Sequence, residues 1–325
     1  MVLKIKRPCI HERVLHDLRI IRGYVWLLTS LGIAPHCRWE DMSWEIEQAL
    51  LEELDCSQEA SSLQRLRKNL RSHKVYVPKV FTALCTENVP VMERARGVYM
   101  PEYIHVAHTD PGRVKLWLAE NKINPTEVGE RLLFSHDRQL LEDNLYPCDL
   151  HPGNILLLRN SRVTLIDFGS VGSSDRTQLE TLFHLFAALG NGDYYKAADL
   201  FLLSSHALPA TDRTAAQEQV VRFHRELDTL SKSKSVPDHA KSVGRVVGRI
   251  SQVFGQWGVA VPWDLLRSNR AELTLDASLM FLLPNIDDPR TARKYLLQHA
   301  ARQQKRMRRW GPALAPAPQS RTQRW

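Results

Sequence analysis

Hydrophobic and polar positions divide the chain into a short strand-and-helix region and a long helical one. Val2-Leu3-Lys4-Ile5-Lys6 alternates as a strand does, and Pro8 closes it. Val14, Leu18, Ile21, Val25 and Leu28 then recur at helical spacing, a stripe that Gly32 and Pro35 end. Ser43 to Leu70, dense in Glu, Leu, Gln and Arg, predicts a second helix. Strands are expected over Val75–Ala83 and Val89–Glu93, around the polar turn Thr86-Glu87-Asn88. Beyond Gly97 a helix is expected from Asn124 to Asn144, then a strand pair, Asn154–Leu158 and Val163–Ile166, joined through Arg159-Asn160-Ser161-Arg162. Leu179, Leu182, Phe183 and Phe186 share a helix face, with Gly190 placed as a C-cap. Ser231-Lys232-Ser233-Lys234-Ser235 reads as a linker before helices that run to about Met307. The Pro-, Ala-, Gln- and Arg-rich end reads as a disordered tail.

The chemistry concentrates in Asp149-Leu150-His151-Pro152-Gly153-Asn154 and Asp167-Phe168-Gly169. Phosphoryl transfer needs positioned phosphates, metal ions and an oriented acceptor hydroxyl. Asp149 suits the acceptor, and the loop returns Asn154 toward a magnesium ion. A strand pair then delivers Asp167 to the same metal, because hard oxygen ligands suit Mg²⁺. The Asp/Asn spacing is that of the kinase catalytic loop, with Asp-Phe-Gly following. His151 could contact nucleotide or metal, or brace the loop by a hydrogen bond. Lys4 sits in a strand of the form that carries a phosphate-binding lysine, and the second helix offers Glu53 and Glu59. These two glutamates point about 120° apart and so should have different partners. Met92, Glu93 and Arg94 fall where a hinge between lobes would read adenine through its backbone. Ser135-His136-Asp137 is contiguous, the wrong arrangement for a catalytic triad, and no Walker-type loop or H-E-x-x-H occurs.

Lys4-Ile5-Lys6-Arg7-Pro8, Glu53-Leu54-Asp55 with Glu59-Ala60, Val91-Met92-Glu93-Arg94 and the Asp149–Asn154 loop together resemble the UbiB/AarF family of atypical, protein-kinase-like proteins linked to coenzyme Q biosynthesis. Gly192-Asp193-Tyr194 and Leu283-Pro284-Asn285-Ile286-Asp287 extend the likeness to about residue 300. The resemblance implies an α+β, protein-kinase-like two-lobe fold with an incomplete small N-lobe over 1–95 and a large helical C-lobe over 96–300. It makes Lys4 the phosphate-binding lysine, Glu59 its helix partner, Asp149 the catalytic-loop Asp, and Asn154 and Asp167 the magnesium ligands. Glu53 and Asp55 match the family's E-x-D element, which engages a K-x-G-Q motif that this sequence does not contain. The sequence starts at the family's third N-lobe strand, either through a start called too late or as a truncated paralogue. Pro147-Cys148 replaces the usual His-Ala before the catalytic Asp, and the C-terminal membrane helices of some bacterial members have no counterpart.

The expected function is an atypical kinase or ATPase that binds Mg-ATP and supports isoprenoid-quinone lipid metabolism, with water, a lipid or quinone precursor, or a protein as acceptor. The alternatives are a pseudokinase-like binding module and a small-molecule kinase of the aminoglycoside or choline type, which the Glu53-x-Asp55…Glu59-Ala60 element disfavours. Five scattered cysteines without a C-x-x-C pair point to a reducing compartment. The N-terminus lacks the apolar core of a signal peptide. The expected location is cytoplasmic or peripheral at the inner membrane, and mitochondrial for a eukaryotic source. No aromatic-basic interleaving marks a nucleic-acid partner.

Charge alters this picture in one place. The net charge of the 325 residues is +8, but residues 301–325 hold seven basic residues and no acid. The remainder has 37 basic against 36 acidic residues and is nearly neutral. A cationic tail of this kind is attracted to anionic lipid by about 1 kcal/mol per basic residue near the surface. Deleting residues 301–325 should therefore reduce co-sedimentation with anionic liposomes; unchanged binding would show that the tail is only a solvated end.

Overall fold

A computed structural model describes residues 1–33, 39–203, 213–232, 263–283, 291 and 293–302. The chain opens with strand β1 (Val2–Leu3) and helix α1 (Ile10–Ser30), whose stripe buries Val14 and Leu18. The expected single helix from Ser43 to Leu70 is two, α2 (Trp39–Glu53) and α3 (Cys56–Leu70). Asp55 makes the break. Its backbone leaves helical geometry (φ −93°, ψ 87°), and its carboxylate accepts from the N–H groups of Ser57 and Gln58. Asp55-x-x-Gln58 has capping-box spacing, a start signal that helix propensity alone conceals.

The strands are shorter than the alternation predicts. From Val75–Ala83 only β2 (Val75–Tyr76) and a bridge at Val80 survive. Pro78 removes a ladder donor, and Thr82–Leu84 turns as a 3-10 helix. Val89–Glu93 contracts to β3 (Val91–Met92), antiparallel to β1 with Val2 opposite Met92. β4 (Val98–Tyr99) leads into α4 (Met100–Thr109), α5 (Pro111–Glu120) and α6 (Pro125–Arg138). Asn124 caps α6, which loosens into a π-turn at Gln139–Asp143 and stops at Asn144 in the left-handed region.

β5 (Tyr146–Pro147), β6 (Ile155–Leu158), β7 (Arg162–Leu165) and β8 (Val171–Gly172) frame the chemical segment. β6 and β7 form the expected hairpin, and the sheet order is β2-β7-β6-β4, with β2 parallel to β7. β5 pairs with β8. α7 (Arg176–Asn191) ends at Gly192 (φ +72°), not Gly190, which is buried inside the helix. Asp193 then starts α8 (Tyr194–Leu203) by accepting from the N–H of Lys196. α9 (Arg213–Lys232) takes in Ser231 and Lys232, which were expected as linker. α10 (Trp263–Leu282) and helical residues 293–302 complete the described chain. The rest of the linker, Pro284-Asn285-Ile286-Asp287 and the tail from 303 lie outside the described residues.

One core joins Leu63, Leu66 and Leu70 of α3 to β2, β6, β7, Phe168 and Leu275, Leu279 and Leu282 of α10. A second gathers Tyr146, Cys148, Leu182, Leu185, Leu265, Ala271 and Tyr295. α10 therefore belongs to both. A buried tether also links the end of α3 to α6, where His73 Nδ1 lies 3.2 Å from Ser135 Oγ and Nε2 lies 3.0 Å from Asp143.

Two histidines tie this packing to pH. Burial holds His136, edge-on to Tyr146, and His224, stacked on Tyr194, down at about 4. The unfolded chain binds these protons near 6.5, so it holds more protons than the fold in that window, and stability falls as pH drops from about 6.5 to 4. The expected loss between pH 7 and 5 is about 2 kcal/mol per histidine. Urea denaturation of His136→Phe should recover about half of it, and a loss equal to wild type would remove His136 from the account.

Candidate functional site

Lys4 reaches the site because its strand is fixed on one side. Its N–H donates to the Pro90 carbonyl at 3.1 Å, and the Lys6 N–H donates to Asn88. The ammonium then lies 2.6 Å from Glu59 Oε1 and 3.2 Å from Asp167 Oδ2. Glu59 occupies the first turn of α3, where an acid suits the helix dipole, and its side chain is 3 % exposed. Asp167 is aimed by its neighbours, since its Oδ1 accepts from the Gly169 N–H at 3.0 Å and Phe168 is buried in the main core.

The electrostatics follow from one ammonium between two carboxylates. Burial pulls the Lys4 pKa down, but Asp167 and Glu59 more than offset it, and the net direction is up. Burial raises the Glu59 carboxyl despite Lys4. Burial also works upward on Asp167, but Lys4 and the Gly169 N–H outweigh it, and its pKa is lowered. The deepest carboxylate is thus the costlier one to ionise.

The loop from Asp149 to Asn154 is braced from within. His151 starts a short 3-10 turn, its Nδ1 accepting from the Gly153 N–H at 3.0 Å, so of its two expected roles the structure shows the bracing one. A Cβ at Gly153 would stand 2.6 Å from the His151 ring, so any larger residue there would displace the imidazole from this turn. Asn154 Nδ2 donates to the Asp149 carbonyl at 3.1 Å, which fixes the orientation of the amide and leaves Oδ1, the atom a hard cation takes. Ile166 N–H donates to the Asn154 carbonyl, tying this loop to the start of Asp167-Phe168-Gly169. The Asp149 carboxylate, 29 % exposed, pairs with Arg270 at 3.3 Å.

Lys4, Glu59 and Asp167 are thus in direct contact, with Asp149 and Asn154 joined through the loop. Among the described residues no group of three or more His, Cys, Asp or Glu side chains could hold a metal. Asn154 and Asp167 still fit magnesium, which keeps several waters and needs only one or two protein oxygens beside substrate phosphates. The residues expected as a hinge are less uniform. Met92 is buried opposite Val2, while the Glu93 N–H is committed to the Lys79 carbonyl at 2.8 Å. Hydrogen bonds from Tyr76 and the Lys79 N–H hold the Glu93 carboxyl below its usual range, with Arg67 3.7 Å away. Arg94 is exposed beyond the strand.

Several residues here were not predicted. Glu52, not Glu53, reaches across the site, accepting from Ser170 Oγ at 3.1 Å and from Arg267 at 2.9 Å. Glu53 is exposed, so it and Glu59 do have different surroundings. Asp55 acts as the α3 cap. Arg267, Arg270 and Thr274 arrive from α10. Their only sequence signal is a three- and four-residue spacing common to many helices.

The ABC1 atypical kinase-like domain matches residues 1–201. Proteins described as "Probable protein kinase UbiB" are similar over most of the chain. The one from Shewanella sp. (strain W3-18-1) is 27 % identical over 93 % of this chain and 53 % of its own length. That from Shewanella halifaxensis is 29 % identical, also over 93 % and 53 %. The chain therefore spans about half the length of the curated relatives it matches. A solved structure, the complex of Rv3197 with erythromycin from Mycobacterium tuberculosis, covers 81 % of this chain and 69 % of its own at 19 % identity, with a TM-score of 0.48.

The ammonium between two carboxylates can be tested by removing it. Lys4→Met leaves Glu59 buried without its cation and should destabilise the protein by about 1–2 kcal/mol at pH 8, less than a fully buried pair because Lys4 is 44 % exposed. The penalty should shrink at pH 5, where Glu59, its pKa already raised, takes up a proton more readily. Lys4→Met combined with Glu59→Gln should recover most of the loss in urea denaturation; equal penalties at both pH values would contradict the pairing.

Proposed function

The chain belongs to the ABC1 atypical kinase-like family, the UbiB/AarF group that its motifs resemble, and from that membership we propose that it binds Mg-ATP between its lobes and acts as an atypical kinase or ATPase in isoprenoid-quinone lipid metabolism. The observation that carries the proposal is the Lys4 ammonium held between Glu59 and Asp167, beside the braced Asp149–Asn154 loop. In this reading Lys4 would hold the α- and β-phosphates, while Asn154 and Asp167 would hold magnesium. Asp149 would orient the acceptor hydroxyl, and the backbone around Met92, Glu93 and Arg94 would border the adenine. Bound Mg-ATP would supply the transferable phosphoryl group and the charge neutralisation its transfer needs. The protein's share is positioning.

The acceptor proposed is water, a lipid or quinone precursor, or a protein, and the quinone assignment rests on the relatives' name. Among the described residues no helix is long and apolar enough to cross a membrane. Arg302 is committed to Glu142, and the six basic residues that follow it in sequence suit peripheral contact with an anionic bilayer. The relatives named above are bacterial, which favours the cytoplasmic side of a bacterial inner membrane over a mitochondrion.

Titration with Mg-ADP or Mg-ATP tests the reading. A ligand at a hundredfold excess over its Kd stabilises by about 2.7 kcal/mol, which should raise the melting temperature by several degrees. Asp167→Asn should remove the magnesium-dependent part. No nucleotide-dependent shift in the wild type would overturn the proposal. Binding without hydrolysis, unchanged in Asp149→Asn, would make the protein a nucleotide-binding module rather than a transferase.

A further inference from the structure

Three residues on one face of α10 contact three consecutive residues of the Asp149 loop. Arg267 Nε lies 3.5 Å from Cys148 Sγ, Arg270 pairs with Asp149 at 3.3 Å, and Thr274 Oγ1 accepts from the Leu150 N–H at 2.9 Å. At 100° per residue these three fall within about 60° of helical arc, so α10 runs alongside the loop and contacts it residue by residue. The helix is itself well fixed. Leu275, Leu279 and Leu282 are buried in the main core, and Leu265 and Ala271 in the second. α6 approaches its end closely enough that a Cβ on Gly129 would stand 2.5 Å from the Leu283 side chain. Arg267 has a second reach, for it also donates to the Val171 carbonyl beyond Asp-Phe-Gly and to Glu52 of α2.

We infer that α10 is the positioning element of the catalytic loop: Thr274 sets the Leu150 backbone, Arg270 sets the Asp149 carboxylate, and Arg267 couples both to the small lobe through Glu52. The word catalytic here rests on the proposed function; the positioning does not. Leu150 is buried, and Thr274 gives its amide the partner that a buried N–H requires. The Asp149–Arg270 pair is different in kind. Both side chains are partly exposed, at 29 % and 39 %, and such pairs contribute little to stability. Its effect is on where the carboxylate points.

That difference separates positioning from bulk stability. Hydrogen exchange across residues 148–158 should show the Leu150 amide of Thr274→Val exchanging about tenfold faster or more, beyond the smaller increase shared by all core amides as the urea midpoint falls with the loss of a buried amide's partner. Thr274→Ser, which keeps the hydroxyl, should restore protection. Unaltered exchange in Thr274→Val would overturn the inference, as would a loss of protection spread equally over the whole chain. In a parallel arm, Arg270→Gln should lower kcat about tenfold to a hundredfold with KM for ATP within about twofold, and Arg270→Lys should recover part of it. A rise in KM at constant kcat would assign Arg270 to nucleotide binding instead. Should the wild type turn over no nucleotide, the proposed function fails while the exchange result still decides the positioning.

Discussion

A nearly inaccessible carboxylate governs this structure. Glu59 lies in the first turn of α3 with its side chain 3 % exposed, and a charge so placed is tolerated only with a partner at hydrogen-bond distance. Lys4 meets that demand at 2.6 Å, more than fifty residues away in sequence. The requirement spreads outward. β1 must lie against β3 for Lys4 to reach the carboxylate, and α3 must begin where it does for Glu59 to face the strand. Asp55 enforces that start by capping, so its contribution is to helix registration. Phe168 enforces the other side, because its burial beside Leu63 and Leu66 turns Asp167 toward the same ammonium.

A second tie crosses from the opposite direction. Glu52, at the end of α2, accepts from Ser170 and Arg267, so it touches both the segment after Asp-Phe-Gly and the helix behind the Asp149–Asn154 loop. The break between α2 and α3 makes this division of labour possible. A continuous helix would keep Glu52 and Glu59, seven residues apart, on nearly the same face. With the chain redirected at Leu54 and Asp55, one glutamate serves the strand lysine and the other serves α10. The site is therefore suspended between α3 on one side and α10 on the other, and only in the first of these attachments do motif residues supply both partners.

Legibility in the sequence follows the same division. Asp149, Asn154 and Asp167 could be read directly, because the proposed chemistry calls for fixed residue types at fixed local spacing, and the β6–β7 hairpin between them reads as two apolar runs around a polar turn. Lys4 and Glu59 could be read once those motifs supplied a frame. The boundary at Asp55 was missed although its capping signal is present, because helix propensity on both sides hid a single residue with non-helical geometry. The same local ambiguity placed the C-cap at Gly190 two residues before the left-handed Gly192. Arg267, Arg270 and Thr274 were invisible for a deeper reason. Their partners in the Asp149 loop lie more than a hundred residues away, and their spacing is that of any helix face.

The charge of the assembled site carries one further consequence. Lys4 and Arg270 bring two positive charges to Glu59, Asp167 and Asp149, which bring three negative ones, so the fully ionised constellation has one negative charge in excess. A bare polyphosphate would meet net repulsion there, least screened at the buried Glu59. The divalent cation proposed above would reverse that balance, and Asp167 is the acid open to it, because its carboxylate is 36 % exposed while Glu59 is sealed. The two acids that share Lys4 thus differ in what they can do. Glu59 holds the lysine in place, and Asp167, already held below the usual carboxylate range, would stay ionised for the proposed cation. Burial, rather than residue type, assigns the roles.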